Sequence, residues 1–361
     1  MRKNVFIDLH VLETVPPSCV NRDDTGSPKT AVYGGAVRAR VSSQCWKHAV
    51  RESFQRMLPQ EDVGLRTKHV HELLTQAILA RDPQAKAEKL AEEALKAAGI
   101  SLKEDNREEK KAKETEKSEK KTGALFFISQ GQIDALAELA VSGEKLEKKA
   151  CQAALKAAPA VDIALFGRMV ADDPSLNFDA AAQVAHAIST HTVHNFTAVD
   201  DCAPEDNAGA GHLGTVEYIS ATLYRYATIH VTELQRLLGD RTPEAVRAFI
   251  EAFIRSMPTG KINTFANNVL PNAVYVTIRC DQPVNLVGAF EAPVQAGNGG
   301  YVKASMEALV KHAKSVTRDF LGEPERAFAI GEGMEPLAET MPLSGLLDAV
   351  ESAVQEIGGQ A

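Results

Sequence analysis

Between Arg38 and Arg51 the sequence spaces cations and hydroxyls in a way that suits an anion. In AVRARVS, residues 36–42, Arg38, Arg40 and Ser42 alternate with Val37, Ala39 and Val41, so a strand puts the polar set on one face. Ser42-Ser43-Gln44 then reads as a serine-capped helix start. The helix expected over 44–58 carries Trp46, Val50, Phe54 and Met57 on one stripe, with Lys47 and Arg51 one turn apart on an adjacent face. Hydroxyls and free N–H groups at a helix start, flanked by cations, match phosphate oxygens. The segment 22–56 sets Arg22, Lys29, Arg38, Arg40, Lys47, Arg51 and Arg56 against Asp23, Asp24 and Glu52, a charge of +4 in a chain of net charge −8. The competing reading is a solvated helix face beside an edge strand blunted by arginines. Spacing alone leaves both open.

Other clusters carry less chemistry. His186, His191 and His194 are spaced by five and three, with His212 further on; this is not the spacing of a helical zinc motif, and packing or surface histidines are the simpler reading. Asp23-Asp24 and Asp200-Asp201 are paired carboxylates that could hold a divalent ion or serve as loop caps. No GxSxG or GxxxxGK[ST] motif occurs, so a nucleophile elbow and a Walker loop are both missing. No metal site and no cofactor is expected. From residue 195 the chain is loop-like and acidic. Phe196 and Val199 precede Asp200, Asp201, Glu205 and Asp206, which no base balances. An apolar residue on such a projection could wedge between bases, or the segment could fold Phe196 back onto its own domain.

These residues need a scaffold. The chain has 361 residues, 44% hydrophobic and 24% charged, enough for a sizeable core in two domains or one domain with a large insertion. No apolar run is long enough to span a membrane, and MRKNVFIDLHVLE does not read as a signal peptide. The five cysteines are odd in number, scattered and without a CxxC, which suits reduced thiols in the cytoplasm. Residues 4–13 alternate as a half-buried strand, and 14–35 read as a long, functional loop. Residues 59–160 read as a helical, alanine-rich insertion. Within it, 103–121 has 15 charged residues of 19, with no stripe to pack. DIALFGRMV, 162–170, is expected as a strand or strand–turn, 178–191 as a helix, 216–231 as β, 242–256 as a helix, 273–279 as a strand and 302–320 as the final helix. The tail 321–361 sets eight acids against Arg326. Without the insertion the order is βαββαβ, an α+β plan of the ferredoxin-like or RRM-like type. RNP-type aromatic signatures are missing, so bases are not expected to stack on the sheet in the common way.

HVLETVPPSCVNRDDTGSPKTAVYGGAVRARVSSQCWKHAVR, with DIALFGRM, HAISTHTVHNFTAVDD and HLGTVEY in the same order, resembles the CasC family, the backbone subunit of the type I-E CRISPR Cascade complex. The resemblance covers roughly 1–58 and 160–230. It implies an RRM-like palm from 1–58 and 161–361, a helical finger from 59–160 and a β-hairpin thumb near 190–215. By position it implies RNA-backbone contacts at Arg22, Lys29, Arg40, Ser42, Gln44, Lys47 and Arg51, and adds Arg168 and Met169. It puts Phe196, Thr197 and Val199 beside a displaced base. The implied partners are CRISPR RNA, the target DNA strand, neighbouring copies of the chain, and the Cascade subunits CasA, CasB, CasD and CasE. The implied role is non-catalytic. The alternative is a metal-dependent RNA-cleaving relative using Asp23 or Asp24. Gripping phosphate and leaving base edges free is what holding an arbitrary guide requires.

Overall fold

A computed structural model describes residues 4–104, 120–170, 172–201 and 213–359. They form two compact units. The first comprises Met1–Ser53, Ala182–Thr232 and Thr242–Ala361; the second comprises Phe54–Ala181 and Glu233–Arg241.

The first unit is built on a large antiparallel sheet. Its centre is β1 (Phe6–Ser18), which runs past residue 13 because a register shift between Val15 and Ser18 accommodates Pro16 and Pro17. The expected loop at 14–35 is therefore shorter. It resumes as β2 (Thr30–Tyr33), which turns at Gly34-Gly35, both with left-handed φ, into β3 (Ala36–Val41). Helix α1 (Ser43–Met57) follows, with Trp46, Val50 and Phe54 buried and Met57 exposed.

The second unit takes up the chain with β4 (Leu65–Thr67), α2 (Val70–Arg81), α3 (Ala87–Ala98), β5 (Leu102–Glu104), β6 (Lys120–Thr122), β7 (Phe126–Ile128), α4 (Gln130–Val141), α5 (Lys148–Ala154) and α6 (Val161–Phe166). The helices expected here form, and two short strand pairs, β4–β7 and β5–β6, join them. Alanines 91, 94, 98 and 137 pack with Leu74, Ile78, Leu95 and Leu136 in one core. Of the charged run 103–121, residues 105–119 lie outside the described residues. The strand expected at 162–170 is instead the short helix α6. Periodicity cannot separate a buried strand from a buried helical turn in so short an apolar run; Asp162, buried within it, accepts a hydrogen bond from Gly64 N at 2.8 Å.

The helix expected over 178–191 is also corrected. Residues there form β8 (Ala182–Val184) and β9 (Ala187–Ser189) of the first unit. Alanine-rich composition favours helix, but β9 is claimed by β3 and by the long β11 (Leu213–His230) on its two sides. β10 (Phe196–Asp201) also pairs with β11. The chain continues through α7 (Val231–Leu238), α8 (Thr242–Arg255), α9 (Ile262–Phe265), β12 (Ala273–Arg279), α10 (Val302–Val316), β13 (Arg326–Ile330) and α11 (Leu343–Gly359). The helix near 302–320 is thus not the last. The acidic tail supplies an edge strand and a helix whose Asp348 and Glu351 bind Arg247 of α8 at 2.6 and 2.9 Å. The sheet runs β13-β12-β1-β11-β9-β3-β2, with β8 and β10 also on β11.

Both faces of β1 are covered, not one. On one face Glu13 meets Arg225 at 2.6 Å, and the Arg225 guanidinium lies 3.6 Å from the Trp46 ring centroid of α1 and 4.6 Å from that of Phe253 of α8. On the other, Leu12, Tyr224, Tyr226 and Tyr275 pack with Leu286, Phe290, Leu309 and Ala313. The polar members of that second face are paired inside. Asp8 accepts from Tyr226 Oη at 2.8 Å and Val284 N at 2.9 Å, while His10 Nδ1 meets Tyr224 Oη at 2.8 Å. Burial pushes Asp8 up to about 6 and His10 down to about 3.

Candidate nucleic-acid interface

The loop 19–29, the end of β3 and the start of α1 are tied by backbone. Asn21 Oδ1 accepts from Ser42 N at 2.9 Å, Asn21 O accepts from Lys29 N at 2.9 Å, and Lys29 O accepts from Arg40 N at 2.9 Å. Ser42 Oγ accepts from Cys45 N at 3.3 Å, the helix cap that the sequence suggests. Lys29 and Arg40 are thereby neighbours at the rim of a shallow recess floored by Val15, Val20, Ala39 and Ile219. Arg40 Nη1 reaches His186 Nδ1 at 3.2 Å. Partial burial lowers the affinity of His186 for a proton, and the charges of Arg40 and Lys29 lower it further. A phosphate entering here would meet two cations and an imidazole whose hold on a proton is weakened by burial first and by those cations second. On α1, Gln44 is exposed and Lys47 and Arg51 are half-buried, at i, i+3 and i+7 along one stripe. Arg22 is exposed where it bridges Pro28.

Asp23 is a turn former. Its Oδ1 accepts from Thr25 N, Thr25 Oγ1 and Ser27 N at 2.9, 2.7 and 3.0 Å, and these bonds, the Thr25 hydroxyl foremost, hold its carboxyl below the usual range. Asp24 is exposed beside it.

Three expected contacts are corrected. Arg38 is buried. Its Nη1 donates to Ser189 O at 2.9 Å, and its Nη2 donates to Phe290 O and Glu291 O at 2.9 and 3.1 Å. It shares a face with Arg40, but that face dips under the 290–291 segment, where carbonyls require donors. The Ser42 side chain is buried in its cap, which leaves Ser43 as the more open hydroxyl. Arg168, in the second unit, spends all five N–H donors inside. Nε donates to Leu176 O, Nη1 to Phe127 O and Gln132 Oε1, and Nη2 to Leu155 O and Leu176 O, at 3.0–3.1 Å. The rings of Phe126 and Phe178 lie 4.8 and 4.9 Å from it. Met169, the next residue, stands 88% exposed.

The segment expected as a projecting loop is a hairpin. Phe196 pairs with Tyr218 and Val199 with Thr215. Phe196 is 54% exposed, although its ring stacks on Tyr218 at 5.8 Å, and Thr197 is exposed. The Val199 side chain, Cys202, Glu205, Asp206 and His212 lie outside the described residues. Among the described residues no three His, Cys, Asp or Glu side chains gather as a metal site. His191 is structural: Thr222 N donates to its Nε2 at 3.1 Å, so Nδ1 carries the proton it gives to Thr192 O at 2.9 Å.

A family model described as CT1975-like protein matches residues 7–352. The chain belongs to the CT1975-like family. A solved structure described as "CRISPR RNA-guided surveillance complex, pre-nicking" contains a chain 30% identical to this family member, at a TM-score of 0.77, covering 97% of this chain and all of that one. Another, described as "CRISPR RNA-guided surveillance complex", contains a chain 27% identical at a TM-score of 0.68, covering 96% and 99%. These matches bear out the resemblance to a Cascade backbone subunit. No curated protein matches this CT1975-like chain in sequence.

Sequence reasoning missed Asn21 and Tyr218, and it named His186 as a packing or surface histidine without its place beside Arg40. Asn21 was hidden inside an apparent loop, and His186 inside an apparent helix. Tyr218 needed the hairpin register to bring it opposite Phe196.

Proposed function

We propose that this chain is a non-catalytic CRISPR RNA-binding backbone subunit of a type I-E Cascade complex. Copies line up along the guide spacer, each gripping the phosphate backbone, while the β10–β11 hairpin acts as the thumb that displaces bases at regular intervals. The observation that carries this reading is the bonded junction of loop 19–29, β3 and α1, which sets Lys29, Arg40, Gln44, Lys47 and Arg51 on the surface of the first unit. The strand order β12-β1-β11-β9, with α1 and α8 on one face, supports an RRM-like palm. The opposite face, where such folds commonly stack bases, is filled by Leu286, Phe290 and Leu309; a nucleic acid is therefore left to the edge. The second unit corresponds to the finger. CRISPR RNA, the target DNA strand, other copies of the chain, CasA, CasB, CasD and CasE are the partners, in the cytoplasm.

The test is co-expression with a CRISPR RNA and measurement of RNA retained per protein for several spacers. Lys47→Ala with Arg51→Ala should reduce retention equally for all spacers. Loss confined to particular spacers, or none, overturns the proposal. Cleavage of complementary RNA with Mg²⁺, abolished by Asp24→Ala, would favour the enzymatic alternative.

A further inference from the structure

The turn 260–267 of the first unit is expensive for the fold. Lys261 and Ala266 both adopt left-handed φ of +47°, where the Cβ of an L-residue crowds its own backbone. Asn267 is fully buried, and neither its amide oxygen nor its nitrogen has a partner among the described residues. Gly260 is seated so closely on the Cys19–Val20 backbone that a Cβ there would lie 2.1 Å from Val20 O. That contact fixes the turn against the cationic loop. The charges of Lys261 and Arg22 both bear on the Cys19 thiol, opposed by Glu217 and Asp23. From the other end of the turn, the half-buried Phe265 ring stands 5.9 Å from Tyr218, which stacks on Phe196. The turn thus connects a row of three rings to the cations of loop 19–29.

We propose that Tyr218, Phe265 and Lys261 form a nucleotide subsite beside the thumb. An unpaired base stacks on the Tyr218–Phe265 end of the row, and Lys261, with Arg22, holds the adjoining phosphate. Stacking on aromatic faces tolerates any base, as a guide of arbitrary sequence needs, and a strained cationic turn is the kind of backbone that persists where a ligand is clamped. This inference rests on the RNA-binding reading and names where the displaced nucleotide goes.

The experiment uses the full chain assembled on a guide RNA that carries 2-aminopurine at each position in turn. At the displaced position, fluorescence should be quenched in the wild type. The signal should rise with Phe265→Leu and return to quenched with Phe265→Tyr. Lys261→Gly should raise Tm, because glycine accepts positive φ, yet weaken RNA binding several-fold, while Lys261→Arg should keep binding. Quenching that is unchanged in Phe265→Leu, or binding unchanged in Lys261→Gly, overturns the subsite. If those variants bind normally but Lys47→Ala with Arg51→Ala loses RNA, only the subsite fails. If neither set matters, the RNA-binding reading fails.

Discussion

Arg168 of the second unit and Arg40 of the first both sit beside sequence blocks that suggested RNA contact, yet they do opposite work. Arg168 is surrounded by carbonyls from Phe127, Leu155 and Leu176 and by two aromatic rings, and it has no donor left. Arg40 meets the His186 imidazole at 3.2 Å and lies beside Lys29. The difference is one of acceptors. Where irregular backbone is buried, unpaired C=O groups draw in a five-donor side chain, and an arginine becomes a structural staple. Where neighbouring backbone is already paired, as along β3 and the helix start, the guanidinium remains available to an external anion.

The comparison is broken most directly by truncation. Arg168→Ala takes the guanidinium from four acceptors, Leu176 O, Phe127 O, Leu155 O and Gln132 Oε1, and should cost the second unit about 3–5 kcal/mol, by analogy with removal of a buried charged partner. Urea unfolding should show it as an early loss of structure. A change below 1 kcal/mol would mean that water replaces the guanidinium and that the staple is dispensable.

Buried ionisable groups in the first unit predict a pH signature that rim groups cannot give. Asp8 is raised to about 6 in the fold, so its contribution is fully present below about 4 and is lost as pH rises toward 6. His10 is lowered to about 3, so its contribution is present above about 6.5 and is lost as pH falls. Between pH 4 and 6 the two slopes oppose each other and nearly cancel. Asp8→Asn removes one of them. The variant should lose roughly 3 kcal/mol relative to wild type between pH 6 and pH 4. Parallel stability curves for the two proteins would show that Asp8 does not titrate as its burial demands.

A rim cation should behave differently. Arg40→Ala should leave thermal stability within about 1 kcal/mol of wild type and lower the salt slope of RNA binding by about 0.7. Arg38→Ala, two residues away and buried, should do the reverse: a clear loss of stability with an unchanged slope. Similar effects of the two substitutions would remove the distinction drawn here between staple and contact.

That pair also marks how far the sequence can be read. The alternation of β1 and β3, the Trp46–Val50–Phe54 stripe and the Ser42 cap are local signals, and local physics decides them. Arg38 and Arg168 are indistinguishable from contact residues in sequence, because their acceptors come from segments far along the chain. The segment 178–191 failed for the same reason: its alanines favour a helix, but β3 and β11 leave two open edges that only a strand can fill. The covered second face of β1 depended on residues 284–313, which nothing near Asp8 or His10 announced. Type and spacing predicted the cationic edge, whereas burial decided which cations belong to it.

The smallest effect is expected where charge is densest. The run 103–121 has nearly balanced signs and Ala112 as its one apolar residue. At its base β5 and β6 pair with Glu104 opposite Lys120. Two further ties hold that base: Thr122 N donates to Lys68 O at 2.9 Å, and Lys120 Nζ meets Glu92 at 2.5 Å. Directly opposed residues are the ends that a two-residue Asn-Gly turn joins. Replacing 105–119 by Asn-Gly should therefore keep the strand pair and shift Tm by no more than about 2 °C, the range of surface changes that touch no core. A larger drop would mean that a mixed-charge run with no apolar stripe contributes to the core. Charge would then be acting as packing in the second unit, as Arg168 does there, and not as a solvated or ligand-facing surface.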